Sequence, residues 1–262
     1  MVTDLELALS LLDVADAITL ERFLAADLEV DTKPDLTPVT EADRAVEQAI
    51  RARLAHERPG EAILGEEYGE ALPERGARRW IIDPIDATKN YVRGIPIWGT
   101  LLALQDGDEI VAGAVSAPAL QRRWWAVRGQ GAWVDDSRAL GSRRSPRRIA
   151  VSKVGALGDA QLSFSGLEGW ADGAERLRAL AASCWRSRGL GDFWAYMLLA
   201  EGAVDIACEP EVELWDLAAP KVIVEEAGGR LTDLGGVATA AGGDALATNG
   251  ALHEVALEII GR

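Results

Sequence analysis

Cysteine, histidine and basic charge are all scarce in this chain. Its 262 residues include two cysteines, Cys184 and Cys208, each beside apolar neighbours. Such usage excludes a disulfide framework and fits a reducing compartment, the cytoplasm, with both thiols expected as small core residues. The two histidines, His56 and His253, fall in polar helical surroundings without HxxxH spacing or a cysteine partner. Zinc built on imidazole is thereby excluded, and a metal site would have to use oxygen. Lys and Arg number 27 against 42 Asp and Glu, for a formal net charge of -15 and a pI near 4.6. That balance argues against a general nucleic-acid or anionic-membrane surface, since both need a basic footprint. The one basic cluster, "RRSPRR" at 143–148, has no interleaved aromatics and reads as a solvated loop. No apolar stretch reaches the length of a membrane span, the longest being broken at Gly99 and Glu201. The opening "MVTDLELALSLLDVADAITL" carries acids where a signal peptide carries Lys or Arg, again pointing to the cytoplasm. With no Walker loop and no GxGxxG after a strand, nucleoside-triphosphate and dinucleotide chemistry have little support.

What is present is a large apolar fraction, 48% of the residues, enough for one large domain or two small ones. Leu5, Leu9, Leu12 and Ala15 recur at helical spacing and predict a helix over 4–26. A second helix follows Thr40, a cap with Asp43 three residues on, with Val46, Ile50 and Leu54 as its apolar stripe. The loop between them, "DTKPDLTP", is elaborate enough to reach over a site. From Ala62 to Leu140 the pattern changes to strands, "AILG", "WIID", "TLLAL", "IVAGAV" and "WWAV", predicting a meandering sheet packed on the first two helices. Beyond the arginine-rich loop, strands and helices alternate, with helices expected from Glu175 to Cys184, Phe193 to Glu201, Leu217 to Ala227, and over Leu252, Val255, Ala256 and Ile259. The expected organisation is an α+β half over 1–145 that holds the metal site and an α/β half over 146–262 that selects the substrate, with a soft boundary near 145.

Acids stand where apolar segments end. Glu66 and Glu67 follow "AILG", Asp83 and Asp86 follow "WII", and Asp216 follows Trp215 at a helix start. One such acid is ordinarily solvated or capping. Their recurrence is harder to attribute to that. In "DPID" the proline fixes a tight turn, so both carboxylates and the Ile85 carbonyl can converge. Converging carboxylates take up protons unless a divalent cation compensates them, and oxygen-only ligands select Mg²⁺ or Mn²⁺. Mg²⁺ commonly shares its shell with substrate phosphate, and "ATKNY" would open a helix whose free amides receive a phosphate dianion. Thr88 could hold a water between its hydroxyl and Glu66. The residues therefore point to metal-assisted phosphate ester hydrolysis.

The segments "PVTEAD" (38–43), "GEE" (65–67), "WIIDPIDATKN" (80–90) and "WDLAAPKVIVEEAGG" (215–229) occur in the order of the inositol monophosphatase family and span almost the whole chain. The sequence resembles that family. The resemblance implies an α+β fold, a layered αβαβα sandwich, assembled as a homodimer and acting as a Mg²⁺-dependent phosphomonoesterase. By motif it implies that Glu66, Asp83 and the Ile85 carbonyl bind a first metal and Asp83, Asp86 and Asp216 a second, which would stabilise the departing alkoxide. A third, weaker ion would touch Glu66, and Mn²⁺ could replace Mg²⁺. Glu66 and Thr88 would position the attacking water, Asp43 would orient Thr88, and the amides of Ala87 and Thr88 would bind phosphate, with Lys33 in the nearby loop. Glycine is the family's usual residue where this chain has Ala87. An alanine serves there without strain if its φ is negative, and is strained if the site needs φ above zero.

Substrate choice is expected from Gly191, Asp192 and Glu209. Asp192 stands where family members carry a neutral hydroxyl, so the alcohol pocket becomes more anionic and better suited to an ammonium or imidazolium. The segments "TKPDLTPVTEADRAVE", "KNYVRGIPIW", "SAPALQRRWWAVRGQGAW" and "GDFWAYMLLAEGAVDIACEPEVELWD" resemble the bacterial histidinol-phosphate phosphatase branch of the family. This implies hydrolysis of L-histidinol phosphate, a small phosphorylated partner, in histidine biosynthesis. The competing role for Asp192 is to cap the helix beginning at Phe193. Inositol-1-monophosphatase or broad sugar-phosphate phosphatase activity is the alternative reaction. A phosphatase for 3'-phosphoadenosine nucleotides and a sensor without turnover are weaker readings. Most of the nine tryptophans are expected in the core or in dimer contacts.

Overall fold

Thr3 opens the first helix through a capping box: its hydroxyl accepts from the Glu6 amide while the Glu6 carboxylate accepts from the Thr3 amide. The computed structural model describes residues 3–33, 37–71, 78–136, 146–170 and 173–262. Helix α1 (Asp4–Arg22) ends before the expected residue 26, because Phe23 is extended and Leu24 turns left-handed at φ 67°. Its buried face is Leu7, Ala8, Leu11, Leu12, Ala15 and Thr19, so Leu5 and Leu9 lie at the margin of the core rather than at its centre. The helix packs against both a second helix and a sheet, and that double contact sets its rotation. Thr19 tolerates the core by donating its hydroxyl hydrogen to the Ala15 carbonyl at 2.8 Å.

Strands β1 (Val30–Thr32) and β2 (Pro38–Thr40) pair antiparallel; residues 34–36 of the "DTKPDLTP" loop lie outside the described residues. Helix α2 (Glu41–Glu57) begins as expected at the Thr40–Asp43 box and buries Val46, Ile50 and Leu54. There follow β3 (Ala62–Gly65), β4 (Gly69–Ala71), β5 (Arg79–Asp86), the short α3 (Thr88–Val92), β6 (Gly99–Asp106), β7 (Glu109–Ala117), β8 (Arg122–Val127), β9 (Ala132–Asp135) and β10 (Arg147–Ile149). Among the described residues these strands form an eight-stranded sheet in the order β10-β9-β8-β7-β6-β5-β3-β4, antiparallel except for the β3–β5 pair. Next come β11 (Gln161–Phe164), α4 (Ala174–Ser183), β12 (Arg186–Arg188), α5 (Asp192–Ala200), β13 (Ile206–Glu209), α6 (Leu214–Glu226), β14 (Arg230–Thr232), β15 (Ala245–Thr248) and α7 (His253–Ile260). The second sheet runs β12-β11-β13-β15-β14, parallel through β12, β11 and β13 and antiparallel beyond.

Period-two alternation along β5 and β6 builds two cores at once. Trp80, Ile82, Leu102 and Leu104 face α1 and α2, while Ile81, Leu101 and Ala103 face α5 and α6. The small sheet sends Leu162, Ile206 and Leu246 toward α4 and α7. The layers are thus α1/α2, large sheet, α5/α6, small sheet, α4/α7, the expected αβαβα sandwich.

Several local expectations are corrected. The boundary expected near 145 falls in 137–145, outside the described residues, as do Arg143 to Ser145 of the basic cluster. Arg147 is exposed, as expected, but lies in β10 rather than a loop and pairs with Asp136 at 3.0 Å and Glu201 at 2.5 Å. His253 is buried, its two ring nitrogens flanked by the Thr232 and Thr248 hydroxyls, each at 3.1 Å, and burial lowers its pKa to about 4. Cys208 is buried as expected, but Cys184 is only half-buried. On α7, Val255 faces solvent while Ala256 and Ile260 carry the packing.

One close approach sets the position of α6, which later supplies Asp216. Gly113 on β7 has no side chain, and a Cβ there would lie 2.6 Å from Val222 Cγ1 and 2.9 Å from the Ala219 backbone. Gly113→Ala must push α6 off the sheet, and the expected cost is about 1–3 kcal/mol in urea unfolding. A wild-type midpoint would show that the contact has slack.

Candidate active site

Strand β5 does not finish as a regular strand. Asp83 pairs with Leu101 and Asp86 with Gly99, so three steps on β5 match two on β6. This bulge holds Pro84, whose missing N–H costs nothing off the ladder, and Thr100 donates its hydroxyl hydrogen to the Pro84 carbonyl at 2.7 Å. The bulge re-aims the chain so that Asp83 and Asp86 meet Asp216 from α6. One carboxylate oxygen of each of the three lies within 4.8 Å of the others. Helix α6 starts at Leu214, earlier than the expected Leu217, because Glu213 and Asp216 form a capping box with the Glu213 amide donating to Asp216 Oδ2 at 2.7 Å. Pro220 removes the bond that the Asp216 carbonyl would otherwise accept within the helix.

Burial pushes all three carboxyls up. For Asp83 the charges of Glu66, Asp86 and Asp216 add to it. For Asp86 those of Asp192 and Asp216 do, against a hydrogen bond from the Phe193 amide. Asp216 rises to about 7, although its bond from Glu213 opposes the shift. Asp83 Oδ1 is buried without a hydrogen-bond partner among the described residues. An orphaned carboxylate oxygen inside an oxygen-only cluster fits a hard divalent cation.

Beside the cluster stands the pair expected to handle water. The Thr88 hydroxyl donates to the Ile85 carbonyl at 2.9 Å, with Asp43 Oδ1 at 3.4 Å as its second acceptor. Asp43 Oδ2 is held by the Thr40 amide at 2.8 Å and the Thr40 hydroxyl at 2.5 Å. Burial raises the Asp43 pKa to about 7 despite those bonds. Glu66 lies next to the triad but outside its tight grouping, with Lys33 Nζ at 2.8 Å from its Oε1 and 2.6 Å from Glu67 Oε1. Partial burial disfavours the Lys33 charge, yet the two glutamates outweigh it and raise its pKa.

Ala87 resolves the open question about its backbone: φ is 64° and ψ 46°, the left-handed region. The alanine is therefore strained. Intrahelical bonds of α3 begin at Asn90 and Tyr91, which both donate to the Ala87 carbonyl, leaving the amides of Ala87 and Thr88 at the mouth of the turn. Tyr91 anchors this turn from below, its hydroxyl donating to the Thr19 carbonyl at 2.7 Å and its ring packing on Phe23 and Trp98.

Asp192 does not cap α5. No side-chain cap bond forms there; instead Asp86 Oδ2 accepts from the Phe193 amide at 2.8 Å and Glu209 Oε1 from the Asp192 amide at 3.0 Å. Asp192 is itself left-handed at φ 53°. Burial raises its pKa against the nearby Lys89 charge, and burial with the Asp192 and Asp216 charges raises Glu209. Gly191 packs behind this wall, where a Cβ would fall 2.2 Å from Ser165 Cα.

A pocket of about 830 Å³ joins these groups, its walls including Lys33, Glu66, Asp86, Ala87, Thr88, Asp192, Glu209 and Asp216. Residues that sequence reasoning did not single out also line it: Lys89, Glu168, Tyr196, Glu211, Glu213 and Trp215. The alternating acids of "EPEVELWD" were the available signal for two of them.

Relief of the strain at position 87 is measurable. Ala87→Gly is expected to raise the unfolding free energy by roughly 1 kcal/mol, since a left-handed non-glycine costs about that much. A lower unfolding free energy would mean that the φ there is not the source of strain.

Comparison with known proteins agrees with this geometry. The chain is 56% identical over 258 residues to a histidinol-phosphatase of Mycobacterium tuberculosis, covering 97% of this chain and 96% of that protein. It is 50% identical over 257 residues to a histidinol-phosphatase of Streptomyces coelicolor, covering 96% and 94%. The fold superposes on the extragenic suppressor protein suhB of Bartonella henselae with a TM-score of 0.87 at 28% identity, covering 98% of this chain and 97% of that one. A Thermotoga maritima IMPase gives a TM-score of 0.84 at 29% identity, covering 98% and 96%. With the family pattern matched over residues 3–261, the chain belongs to the inositol monophosphatase family and is a phosphoric monoester hydrolase.

Proposed function

We propose that the chain hydrolyses L-histidinol phosphate to L-histidinol and inorganic phosphate, the alcohol-releasing step of histidine biosynthesis. The observation that carries this reading is the acidic wall facing the carboxylate cluster. Asp192, Glu209, Glu168, Glu211 and Glu213 line one pocket, together with Lys33 and Lys89. A neutral polyol gains little from such a wall, whereas an alcohol bearing an ammonium and an imidazole is attracted to it. The two histidinol-phosphatases at 56% and 50% identity support the same substrate.

Asp83, Asp86 and Asp216, with Glu66 and the Ile85 carbonyl, would hold Mg²⁺ or Mn²⁺, two or three ions per site on the family pattern. Such ions supply charge neutralisation for the phosphate dianion and the departing alkoxide. Glu66 and the Thr88 hydroxyl orient the attacking water, and Asp43, whose Oδ1 stands 3.4 Å from the Thr88 hydroxyl, orients Thr88. The amides of Ala87 and Thr88 hold phosphate oxygens. Asp192 and Glu209 receive the cationic end of the alcohol. A homodimer follows the family pattern, and the scarcity of cysteine supports a cytoplasmic setting; among the described residues no helix is long and apolar enough to cross a membrane.

Phosphate release at matched low substrate concentration tests the assignment. Wild-type kcat/KM should favour L-histidinol phosphate over inositol 1-phosphate. Asp192→Asn should lower the first value by about tenfold or more, as expected for one lost charge-assisted contact, and spare the second. Equal losses on both would remove the cation-binding role, and a wild-type preference for inositol 1-phosphate would favour the inositol-1-monophosphatase reaction.

A further inference from the structure

Glu47 is wholly buried on α2, one helical turn beyond Asp43. Its Oε2 accepts from the Glu67 amide at 2.8 Å and its Oε1 from the Tyr68 amide at 3.3 Å. The third amide of that turn, Glu66, donates to the Ile82 carbonyl of β5 at 3.2 Å. Every amide from 66 to 68 is thus committed, two of them to one carboxylate. Arg51, a further turn along α2, donates from Nε to Glu47 Oε1 at 2.7 Å and from Nη2 to the Gly69 carbonyl, closing the clamp around the turn. Gly65 makes the approach possible, since a Cβ there would lie 2.0 Å from Glu47 Oε1.

A buried carboxylate is costly, and an apolar side chain of similar volume would fill the same space without that cost. What only the carboxylate supplies is a rigid two-oxygen acceptor for consecutive amides. Asp43, Glu47 and Arg51 recur every four residues and so share one face of α2. Asp43 reaches Thr88; Glu47 reaches the turn that carries Glu66. We infer that this face of α2 is a ruler that fixes Glu66 relative to Thr88, with Glu47 as the positioning residue. The inference rests on the reading above, in which Glu66 and Thr88 orient the attacking water.

The test compares Glu47→Ala, Glu47→Gln and Arg51→Met with Glu66→Gln as the reference. Glu47→Ala should lower kcat and weaken Mg²⁺ affinity in calorimetry by about 10–100-fold, the usual effect of losing a group that orients a ligand. KM should stay within about twofold, and the loss in kcat should be the same on L-histidinol phosphate and inositol 1-phosphate, because the ruler acts on water and not on the leaving alcohol. Glu47→Gln keeps an amide oxygen for the turn and should recover part of both values. Arg51→Met, which leaves the carboxylate in place, should fall between wild type and Glu47→Gln, and these two variants decide the matter if the alanine variant does not fold. Folded Glu47 and Arg51 variants with wild-type kcat and Mg²⁺ affinity, beside an inactive Glu66→Gln, would overturn the ruler and leave the water assignment standing. Wild-type turnover in Glu66→Gln would bring down both.

Discussion

Asp83, Asp86 and Asp216 are carboxylates drawn largely out of water and held within reach of one another. Burial and mutual repulsion both penalise their charge, and the raised pKa values of all three express that penalty. Without a cation such a cluster lowers its energy by binding protons. The sign of the linkage follows: an acid whose folded pKa lies above its unfolded value weakens the fold as pH rises through that range. The folded chain must therefore hold the triad against a destabilising charge that bound protons or a hard cation relieve.

Much of the architecture serves to hold it. The bulge in β5 turns Asp83 and Asp86 toward one point, and Gly113 lets α6 approach closely enough to deliver Asp216. Asp86 also accepts from the first turn of α5, so the element that carries Asp192 is tied directly to the cluster. Of the four non-glycine residues at positive φ among the described residues, Ala87 and Asp192 line the pocket. Strain concentrates where surrounding contacts over-determine the backbone, and here those contacts come from β5, α5 and β13.

Local spacing made the Thr40–Asp43 cap and the turn joining Asp83 to Asp86 legible, whereas the layered fold and the place of Asp216 beside that pair were implied by the family segments, since both bring together elements far apart in the chain. Features set by distant contacts were not legible in the same way. The φ of Ala87 follows from the bulge and from the anchoring of Tyr91, neither of which an alanine announces. Asp192 reads as a helix cap until Asp86, more than a hundred residues away, is found in that place. Leu5 and Leu9 fit a helical stripe, but packing on two surfaces rotates α1 past them. His253 reads as a surface residue because the two threonines that enclose it come from other strands. Glu47 looks like one more solvated helix charge until the turn it clamps is folded against it.

The most direct measurement is a calorimetric titration of the protein with Mg²⁺ at pH 6 and pH 8, in buffers of different ionisation enthalpy so that released protons are counted. With Asp216 at about 7 and Asp83 and Asp86 raised as well, Mg²⁺ should bind more tightly at pH 8 and should displace protons on binding at pH 6. Equal affinity at both pH values with no proton release would contradict a buried carboxylate triad as the seat of the cation.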